Sequence, residues 1–301
     1  MTDDRKRDPA AWRLLCLGLG YTASALARRL APKGASISGT ARTSDGVEHI
    51  GRCGWRGYAF DGPIIAPELA TALSQATHVL LSAAPDDTGD PVLRHVGDRL
   101  AQSSSLEWIG YLSTVSVYGD HKGAWVDETT APRDPGRRGE MRLNAEQAWL
   151  AFGEKHGKRV DIFRLPGIYG PGRSAVDQLQ AGTARRIAKP GQVFNRVHVD
   201  DIATALEAAM SGASVHNNIY NVTDDEPAPA DEVVAYAARL LGVEPPPLIP
   251  FAEAGFTPIA RSFYDQSKRV SNRRMKESLG VKLAYPTYRE GIAAIASGRD
   301  R

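Results

Sequence analysis

The chain has 301 residues, 42% hydrophobic and 24% charged, which predicts a folded globular protein and excludes an intrinsically disordered one. Thirty-seven basic and thirty-five acidic residues leave a formal net charge of +2, so binding to nucleic acid or to an anionic membrane is not expected. The two cysteines, Cys16 and Cys53, are too few for a disulfide framework, and no metal site is predicted. This composition, without a long apolar run near the start, predicts a cytoplasmic protein.

Short apolar runs alternate with helical patterns through the first half of the chain. Residues 13–17 form the first run. The helical pattern after it has small or apolar residues at the spacing i, i+3, i+4 and i+7, namely Ala23, Leu26, Ala27 and Leu30. Further strands are predicted at residues 35–40, 57–60, 78–82, 108–113 and 160–165. Strands separated by helices predict an α/β fold with a Rossmann-type doubly wound parallel sheet.

The pattern changes after Gly170, where helical stripes and a Pro-rich segment, residues 245–250, follow. We expect a flexible N-terminal tail at residues 1–12, an NAD(P)-binding Rossmann domain at 13–170 and a smaller, interleaved C-terminal substrate lobe at 171–301. A segment of that lobe, about 193–222, is expected to return to the sheet. Ligands of doubly wound sheets bind at the carboxyl ends of the strands, so the site is expected in the loops that follow them.

The turn between the first strand and the first helix is rich in glycine. Its sequence, Gly18-Leu19-Gly20-Tyr21-Thr22-Ala23, matches the dinucleotide fingerprint G-x-G-x-x-G/A. Gly18 permits a tight turn and Gly20 lets main-chain N–H groups approach a pyrophosphate, with Tyr21 and Thr22 opening the helix beside it. An ordinary glycine-rich turn is the alternative. The position of the turn favours binding of a dinucleotide cofactor.

The end of the second strand favours NADP over NAD. An NAD-preferring site places a carboxylate there, whereas this chain has Thr40-Ala41-Arg42-Thr43. The Arg42 guanidinium can bind a 2′-phosphate, and Thr43 or Ser44 can add a hydroxyl donor. A solvated arginine is the alternative.

Loops after other strands complete the predicted cofactor site. Asp61 can accept a hydrogen bond from the adenine amino group or, alternatively, cap the turn before Pro63. The loop after the fourth strand adds Ala83 and Ala84, and the end of the sixth strand adds Pro166.

Four motifs between residues 113 and 222 resemble a known family. They are the segments 113–119 (STVSVYG), 164–173 (RLPGIYGPGR), 196–203 (RVHVDDIA) and 220–222 (YNV). Together they are similar to the extended short-chain dehydrogenase/reductases, the NAD(P)-dependent epimerase/dehydratase family. The segment 117–128 (VYGDHKGAWVDE) and the KRVSN pattern at 268–272 look like its atypical, YeeZ-like branch.

The resemblance implies roles for individual residues and one departure from the family. Thr114 occupies the place of the hydroxyl that binds the substrate oxygen at the reacting carbon. Counting back from Glu146 puts Arg142 at the family's lysine, which binds the nicotinamide ribose, and Arg138 at its acid/base tyrosine. Arginine is protonated at every accessible pH, so Arg138 cannot exchange a proton as the tyrosine does, although it can bind an anionic substrate. Glu140 and Glu146 are alternative ion-pair partners for these arginines.

Another group must then move the proton. His121 follows the VYG motif, and an imidazole titrates near neutrality, so His121 is the predicted catalytic acid/base, with an ordinary surface-loop residue as the alternative. Tyr118 and Tyr169 are alternative groups for moving the proton. The resemblance puts them beside the nicotinamide, and we assign them to substrate binding. Arg173 and His198 complete the predicted substrate site. For His198, the residue itself favours the alternative, a role at the lobe boundary through hydrogen bonds.

Two functions are compatible with these residues. The first is an NAD(P)-dependent oxidoreductase or epimerase that acts by hydride transfer on a sugar-like or anionic carbonyl compound. The second is a non-catalytic NADP-binding sensor or regulatory module, which the replacement of the tyrosine and lysine by Arg138 and Arg142 favours. The expected partner is a small-molecule substrate. A homodimer is also compatible with the sequence, because Trp149 and Phe152 can serve either a subunit contact or the core.

Overall fold

The computed structural model describes residues 8–212 and 216–299. The strands are β1 (Arg13–Leu17), β2 (Ser36–Ala41), β3 (Arg56–Ala59), β4 (His78–Leu81), β5 (Trp108–Thr114), β6 (Trp125–Val126), β7 (Arg159–Leu165), β8 (Gly167–Tyr169), β9 (Arg186–Ala188), β10 (Arg196–His198), β11 (Asn218–Asn221), β12 (Leu248–Pro250) and β13 (Arg269–Val270). The α-helices are α1 (Tyr21–Leu30), α2 (Ser44–Arg52), α3 (Pro67–Gln75), α4 (Pro91–Gln102), α5 (Gly136–His156), α6 (Ala175–Gln180), α7 (Val199–Met210), α8 (Ala230–Leu241), α9 (Pro258–Ser262), α10 (Arg273–Leu279) and α11 (Tyr288–Ala296). Short 3-10 turns cover Pro9–Ala11, Ala31–Lys33, Val115–Tyr118 and Phe251–Glu253.

The central sheet has, in the described part of the chain, seven strands in the order β3-β2-β1-β4-β5-β7-β11. β1 pairs in parallel with β2 on one side and with β4 on the other. The next pairs on either side, β2–β3 and β4–β5, are also parallel. The strand order reverses at β1 and β4, which is where doubly wound sheets bind their ligands. The predicted Rossmann-type α/β fold is therefore confirmed.

The first strand and helix form where the sequence pattern places them. The last four residues of β1 are all buried, as expected for a parallel strand with both faces covered. Each residue of the predicted stripe on α1 is fully buried, with 0% exposure: Ala23, Leu26, Ala27 and Leu30. The six strands predicted in residues 13–165 all form, with ends shifted by at most one residue.

The described residues divide into two compact units. The first contains residues 8–114, 140–164, 203–212 and 216–220, and the second contains 115–139, 165–202 and 221–299. The second unit thus includes a segment, 115–139, from within the predicted Rossmann domain. The predicted division at residue 170 stays a prediction.

The core of the first unit lies between the central sheet and its helices. Trp149 and Phe152 belong to this core, with ring centroids 5.3 Å apart. Trp149 is fully buried and Phe152 is 8% exposed. Of the two roles open to them from the sequence, these side chains therefore fill the core.

The second unit has its own core and three small sheets. β8 pairs with β10, β9 with β12 and β6 with β13, all in parallel. Apolar side chains of α6, α8 and α11 form its core with Tyr169, among them Val176, Ala237 and Ile292. Across the ranges that the structure describes, no helix is both long enough and apolar enough to span a membrane.

Candidate functional site

The glycine turn lies at the carboxyl end of β1, beside the loop that follows β4. Gly18 has φ +97°, in the left-handed region that favours glycine. A Cβ atom built at Gly18 would lie 3.5 Å from Ser82 and from the Ala83 nitrogen. Ala83 and Ala84 come next in this loop, half-buried and exposed respectively. The structure thus brings the predicted cofactor residues Gly18 and Ala83 together.

Thr40, near the end of β2, fixes the glycine turn through two hydrogen bonds. The Gly18 N–H donates to Thr40 Oγ1 and the Leu19 N–H to the Thr40 carbonyl, both at 2.9 Å. Gly39 makes room for the turn, since a Cβ atom there would lie 2.5 Å from Leu19 Cδ1. Sequence reasoning assigned no role to either residue. A glycine inside a strand, which often marks a close approach of another backbone, was the available signal at Gly39.

The N-terminus of α1 follows directly on the glycine turn. Gly20 is its N-cap, exposed and without a capping side chain, and the first turn carries no acidic residue. The N–H groups and the dipole at such a helix end favour a negative charge. Ala23, at the third fingerprint position, is fully buried, so the helix packs closely on the strand. Tyr21 is half-buried and Thr22 is buried in the same first turn.

The loop after β2 presents Arg42 at the surface, two residues beyond Thr40. Arg42 and Thr43 are both exposed. The Thr43 hydroxyl accepts the Gly46 N–H at 3.2 Å and so caps α2, while its own proton remains a donor. Asp61 is exposed after β3.

A buried ion pair joins α5 to β7, and a hydrogen bond joins the same α5 residue to β5. Arg164 donates to both carboxylate oxygens of Glu146, with Nη2–Oε2 at 2.7 Å and Nε 3.2 Å from each oxygen. The Ser113 hydroxyl donates to Glu146 Oε1. The two charged side chains are 1% and 7% exposed. Glu146 thus binds Arg164, and the alternative in which it pairs with the arginines at the start of α5 is wrong. Through Ser113, this network holds the end of β5, whose last residue is Thr114. Thr114 is half-buried.

Arg142, on α5, lies against β5. Its Nη1 donates to the Leu112 carbonyl at 2.9 Å and to the Tyr111 hydroxyl at 3.1 Å. Burial raises the pKa of Tyr111, so this hydroxyl stays protonated at neutral pH. Arg142 is half-buried, whereas Arg138, earlier on the same helix, is exposed.

Tyr118 and His121 lie close together in the second unit. Tyr118 is fully buried, and its hydroxyl donates to Asn221 Oδ1 at 2.8 Å. His121 Nε2 lies 3.1 Å from the Tyr118 carbonyl oxygen. A carbonyl oxygen only accepts, so Nε2 carries the proton in this contact. His121 is 7% exposed, so the alternative that it is an ordinary surface residue is wrong.

Tyr169 and His198 form an aromatic group with Tyr285. The ring centroids of Tyr169 and His198 are 5.1 Å apart, and those of His198 and Tyr285 are 4.0 Å apart. His198 Nδ1 accepts the Asp200 N–H at 3.2 Å. His198 is fully buried and Tyr169 is 7% exposed. The remaining predicted residues of this unit, Pro166 and Arg173, are half-buried and exposed respectively.

Comparisons with known proteins show what the chain is similar to. The profile of the NAD-dependent epimerase/dehydratase family matches residues 99–223. The structure of a functionally unknown conserved protein from Silicibacter pomeroyi DSS is 48% identical, covers 95% of this chain and 99% of that one, and superposes with a TM-score of 0.88. Residues 99–223 are therefore similar to the NAD-dependent epimerase/dehydratase family.

Two further proteins are similar to this chain. Protein YeeZ of Escherichia coli (strain K12) is 29% identical over 285 residues, which are 91% of this chain and 96% of the relative. The 3-diazoavenalumate denitrifying reductase of a Streptomyces sp is 30% identical over 213 residues, 66% of each chain. The predicted resemblance to the epimerase/dehydratase family and to its YeeZ-like branch is confirmed.

A nicotinamide dinucleotide is the cofactor expected in this family, and the first unit fits one. Gly18 at positive φ, the uncapped N-terminus of α1 and the adjoining β4 loop form a main-chain cradle at the strand reversal. The departure from the family lies at the two arginine positions. Arg138 keeps its proton at every accessible pH, and Arg142 hydrogen-bonds the protein itself.

Proposed function

We propose that the protein is an NADP-dependent oxidoreductase or epimerase that acts on a sugar-like or anionic carbonyl compound. The observation that carries the proposal is the glycine turn, whose two N–H groups are held by Thr40. This turn and the N-terminus of α1 are assigned to the pyrophosphate. The reductase name of the Streptomyces relative supports a redox reaction.

The preference for NADP is supported by the loop after β2. Arg42 is exposed there, and no carboxylate stands between Thr40 and Ser44. A guanidinium and a hydroxyl bind a 2′-phosphate, which a carboxylate would repel. Asp61 is assigned to the adenine, and Ala83 and Ala84 to the main-chain wall of the cofactor site.

The chemistry is divided among few residues. Bound NADP supplies or accepts the hydride. The Thr114 hydroxyl is assigned to the oxygen at the reacting carbon, where it donates a hydrogen bond to a carbonyl or accepts one from a hydroxyl. His121 is assigned to proton transfer. Because its Nε2–H donates to the Tyr118 carbonyl, Nδ1 is the ring atom that exchanges the proton.

The residues left for the substrate are Tyr118, Arg138, Tyr169, Arg173 and His198. Arg138 and Arg173 are exposed cations of the second unit, which suit a carboxylate or phosphate on the substrate. Tyr169 and His198, whose rings lie edge to face, complete this group.

A non-catalytic NADP-binding sensor is the second candidate. The observation that favours it is Arg142, whose guanidinium donates to the Leu112 carbonyl and the Tyr111 hydroxyl. A side chain committed to the protein in this way activates no acid/base residue. With Arg138 at the tyrosine position, binding without turnover is the expected behaviour of such a protein.

Calorimetric titration with NADPH and NADH, followed by a cofactor-oxidation screen over keto-sugars and small aldehydes, tests both candidates. The proposed enzyme binds NADPH more tightly than NADH and oxidises it with at least one of these compounds. Tight binding without oxidation in the whole screen would exclude an oxidoreductase of these compounds and leave the sensor and an epimerase, because an epimerase returns the hydride to its product and consumes no NADPH. Failure to bind either dinucleotide would refute both.

A further inference from the structure

Lys268 is a buried lysine of the second unit that none of the assignments above uses. The residue is 6% exposed. Its Nζ donates to the Gly119 carbonyl oxygen at 2.6 Å and to Gln266 Oε1 at 2.8 Å. Both acceptors are uncharged, so they replace only part of the hydration that an ammonium group loses on burial. A buried amine held in this way is a candidate for a functional role.

The carbonyl that Lys268 binds belongs to a tightly constructed turn. Gly119 has φ +72°, and a Cβ atom there would lie 1.7 Å from the Arg133 carbonyl oxygen. The Asp120 N–H donates to that same oxygen at 3.2 Å, and the Arg133 N–H donates to the Tyr118 carbonyl at 2.8 Å. The turn therefore has little freedom to move while these contacts hold. It carries Tyr118 and His121 at its two ends.

Ser267, the neighbour of Lys268, binds the other side of this turn. Its N–H donates to Asp120 Oδ1 at 2.8 Å. Its carbonyl accepts the His121 N–H at 3.1 Å and the Gly123 N–H at 2.9 Å. The segment 267–268 thus binds the turn at two places, through the main chain of Ser267 and through the ammonium group of Lys268.

Gln266 extends the connection to α5. Its side-chain oxygen accepts from Lys268, and its Nε2 donates to the Pro135 carbonyl at 3.1 Å. Pro135 directly precedes the first residue of α5, Gly136, and Arg138 lies two residues further along. One amine therefore connects the turn to the start of the helix that carries Arg138.

Two opposing effects act on the charge of Lys268. Burial lowers its pKa from 10.5 to about 8, and the negative charge of Asp120 opposes this effect. Loss of the proton replaces a charge-assisted hydrogen bond to Gly119 by a weaker neutral one. The charged and titratable residues on the segments packed around it are Asp120, His121, Lys122, Arg133, Asp134, Arg196, Asp265 and Arg269.

We propose that Lys268 is a positioning residue whose ammonium group holds the Gly119 carbonyl and thereby fixes the turn that carries Tyr118 and His121. The catalytic use of those two residues rests on the proposed function. The hydrogen bond and its effect on the turn are properties of the second unit alone. The test therefore reads the turn directly, without substrate or cofactor.

The experiment is an NMR pH titration of the full chain from about pH 6 to pH 10. The Lys268 Cε signal and the amide signals of Gly119 and His121 are expected to shift together, with a midpoint near pH 8. Lys268→Arg keeps a positive charge throughout this range and is expected to abolish the step while leaving the signals near their low-pH positions. Lys122→Met removes an exposed lysine of the same loop and should preserve the step.

Two results would overturn the proposal. One is a wild-type titration in which the turn signals do not follow the Lys268 signal. The other is a step that persists in Lys268→Arg, because another group would then cause it. Lys268→Met should displace the turn signals at every pH; if this variant fails to fold, the wild type and Lys268→Arg still decide. Failure of NADPH to bind would refute the proposed function and leave this result standing.

Discussion

The hydroxyl of Thr40 accepts the Gly18 N–H at 2.9 Å, so a β2 side chain sets the glycine turn after β1. Thr40→Val removes this acceptor and leaves a partly buried N–H without this partner, which costs up to about 1–3 kcal/mol. We expect NADPH affinity to fall by roughly 5- to 100-fold, because the glycine turn and the N-terminus of α1, which are assigned to the pyrophosphate, lose their fixed position. Calorimetric titration measures the change.

Thr40→Ser is the matched control. It keeps the hydroxyl and should keep NADPH affinity within about threefold of the wild type. Equal weakening in the two variants would point to lost packing of the Thr40 methyl group and against the hydrogen bond.

Arg42→Asp tests the assignment of the 2′-phosphate. Replacing a guanidinium by a carboxylate removes charge-assisted hydrogen bonds worth about 1.5–3 kcal/mol and adds repulsion. NADPH should bind at least roughly tenfold more weakly, whereas NADH should change by less than about threefold. The two dinucleotides are compared by calorimetry at one salt concentration.

Arg52→Asp makes the same charge change at the other end of α2, where Arg52 is exposed. It should affect neither dinucleotide by more than about twofold. If both variants weaken NADPH and NADH alike, Arg42 does not read the 2′-phosphate.

The Glu146–Arg164 pair predicts a large effect on stability. Glu146→Gln leaves the Arg164 charge buried and uncompensated, and breaking buried pairs in this way destabilises proteins by about 3–5 kcal/mol. Urea unfolding followed by circular dichroism measures the free energy of unfolding. Arg273→Met, which breaks an exposed pair with Glu277, should change it by less than about 0.5 kcal/mol. Comparable losses of unfolding free energy in the two variants would show that the buried pair contributes no more to stability than the exposed pair.

His121→Asn tests the assigned proton donor. In any reaction that the substrate screen identifies, we expect turnover to fall by roughly 100-fold or more, because Asn cannot exchange a proton near neutrality. NADPH affinity should stay within about threefold, since His121 is not assigned to the cofactor. Measurement of kcat and of the NADPH Kd separates the two effects. Turnover close to that of the wild type would remove His121 from the mechanism.

The sequence predicts the fold in this chain better than it predicts the contacts of the site. The apolar run of β1 and the stripe on α1 are local patterns, and both are buried as the periodicity requires. The tight turn at Gly18 was also predicted from its motif, because the positive φ of a glycine is a local property of the chain.

The contacts that fix the site join residues far apart in sequence. Thr40 meets Gly18 because β2 lies beside β1, and Glu146 meets Arg164 because α5 packs near β7. Neither pairing has a local pattern. From the sequence alone, the arginines at the start of α5 were the expected partners of Glu146. In the fold its partner is Arg164, which lies on β7.

Asp224 predicts a pH dependence of stability. Burial raises its pKa from 3.8 to about 8, against the positive charge of Arg196. The folded state therefore binds more protons than the unfolded state between these values, so this residue's contribution to the free energy of unfolding falls as pH rises through that window. The slope is at most about 1.4 kcal/mol per pH unit.

Asp224→Asn stays neutral and can still accept the Glu226 N–H, so it removes this dependence. The variant should gain stability relative to the wild type between about pH 5 and pH 8, as measured by urea unfolding at each pH. Asp265→Asn, at an exposed position, should follow the wild type at every pH. A constant difference between Asp224→Asn and the wild type would show that the Asp224 carboxyl group ionises at the same pH in the folded and unfolded chains.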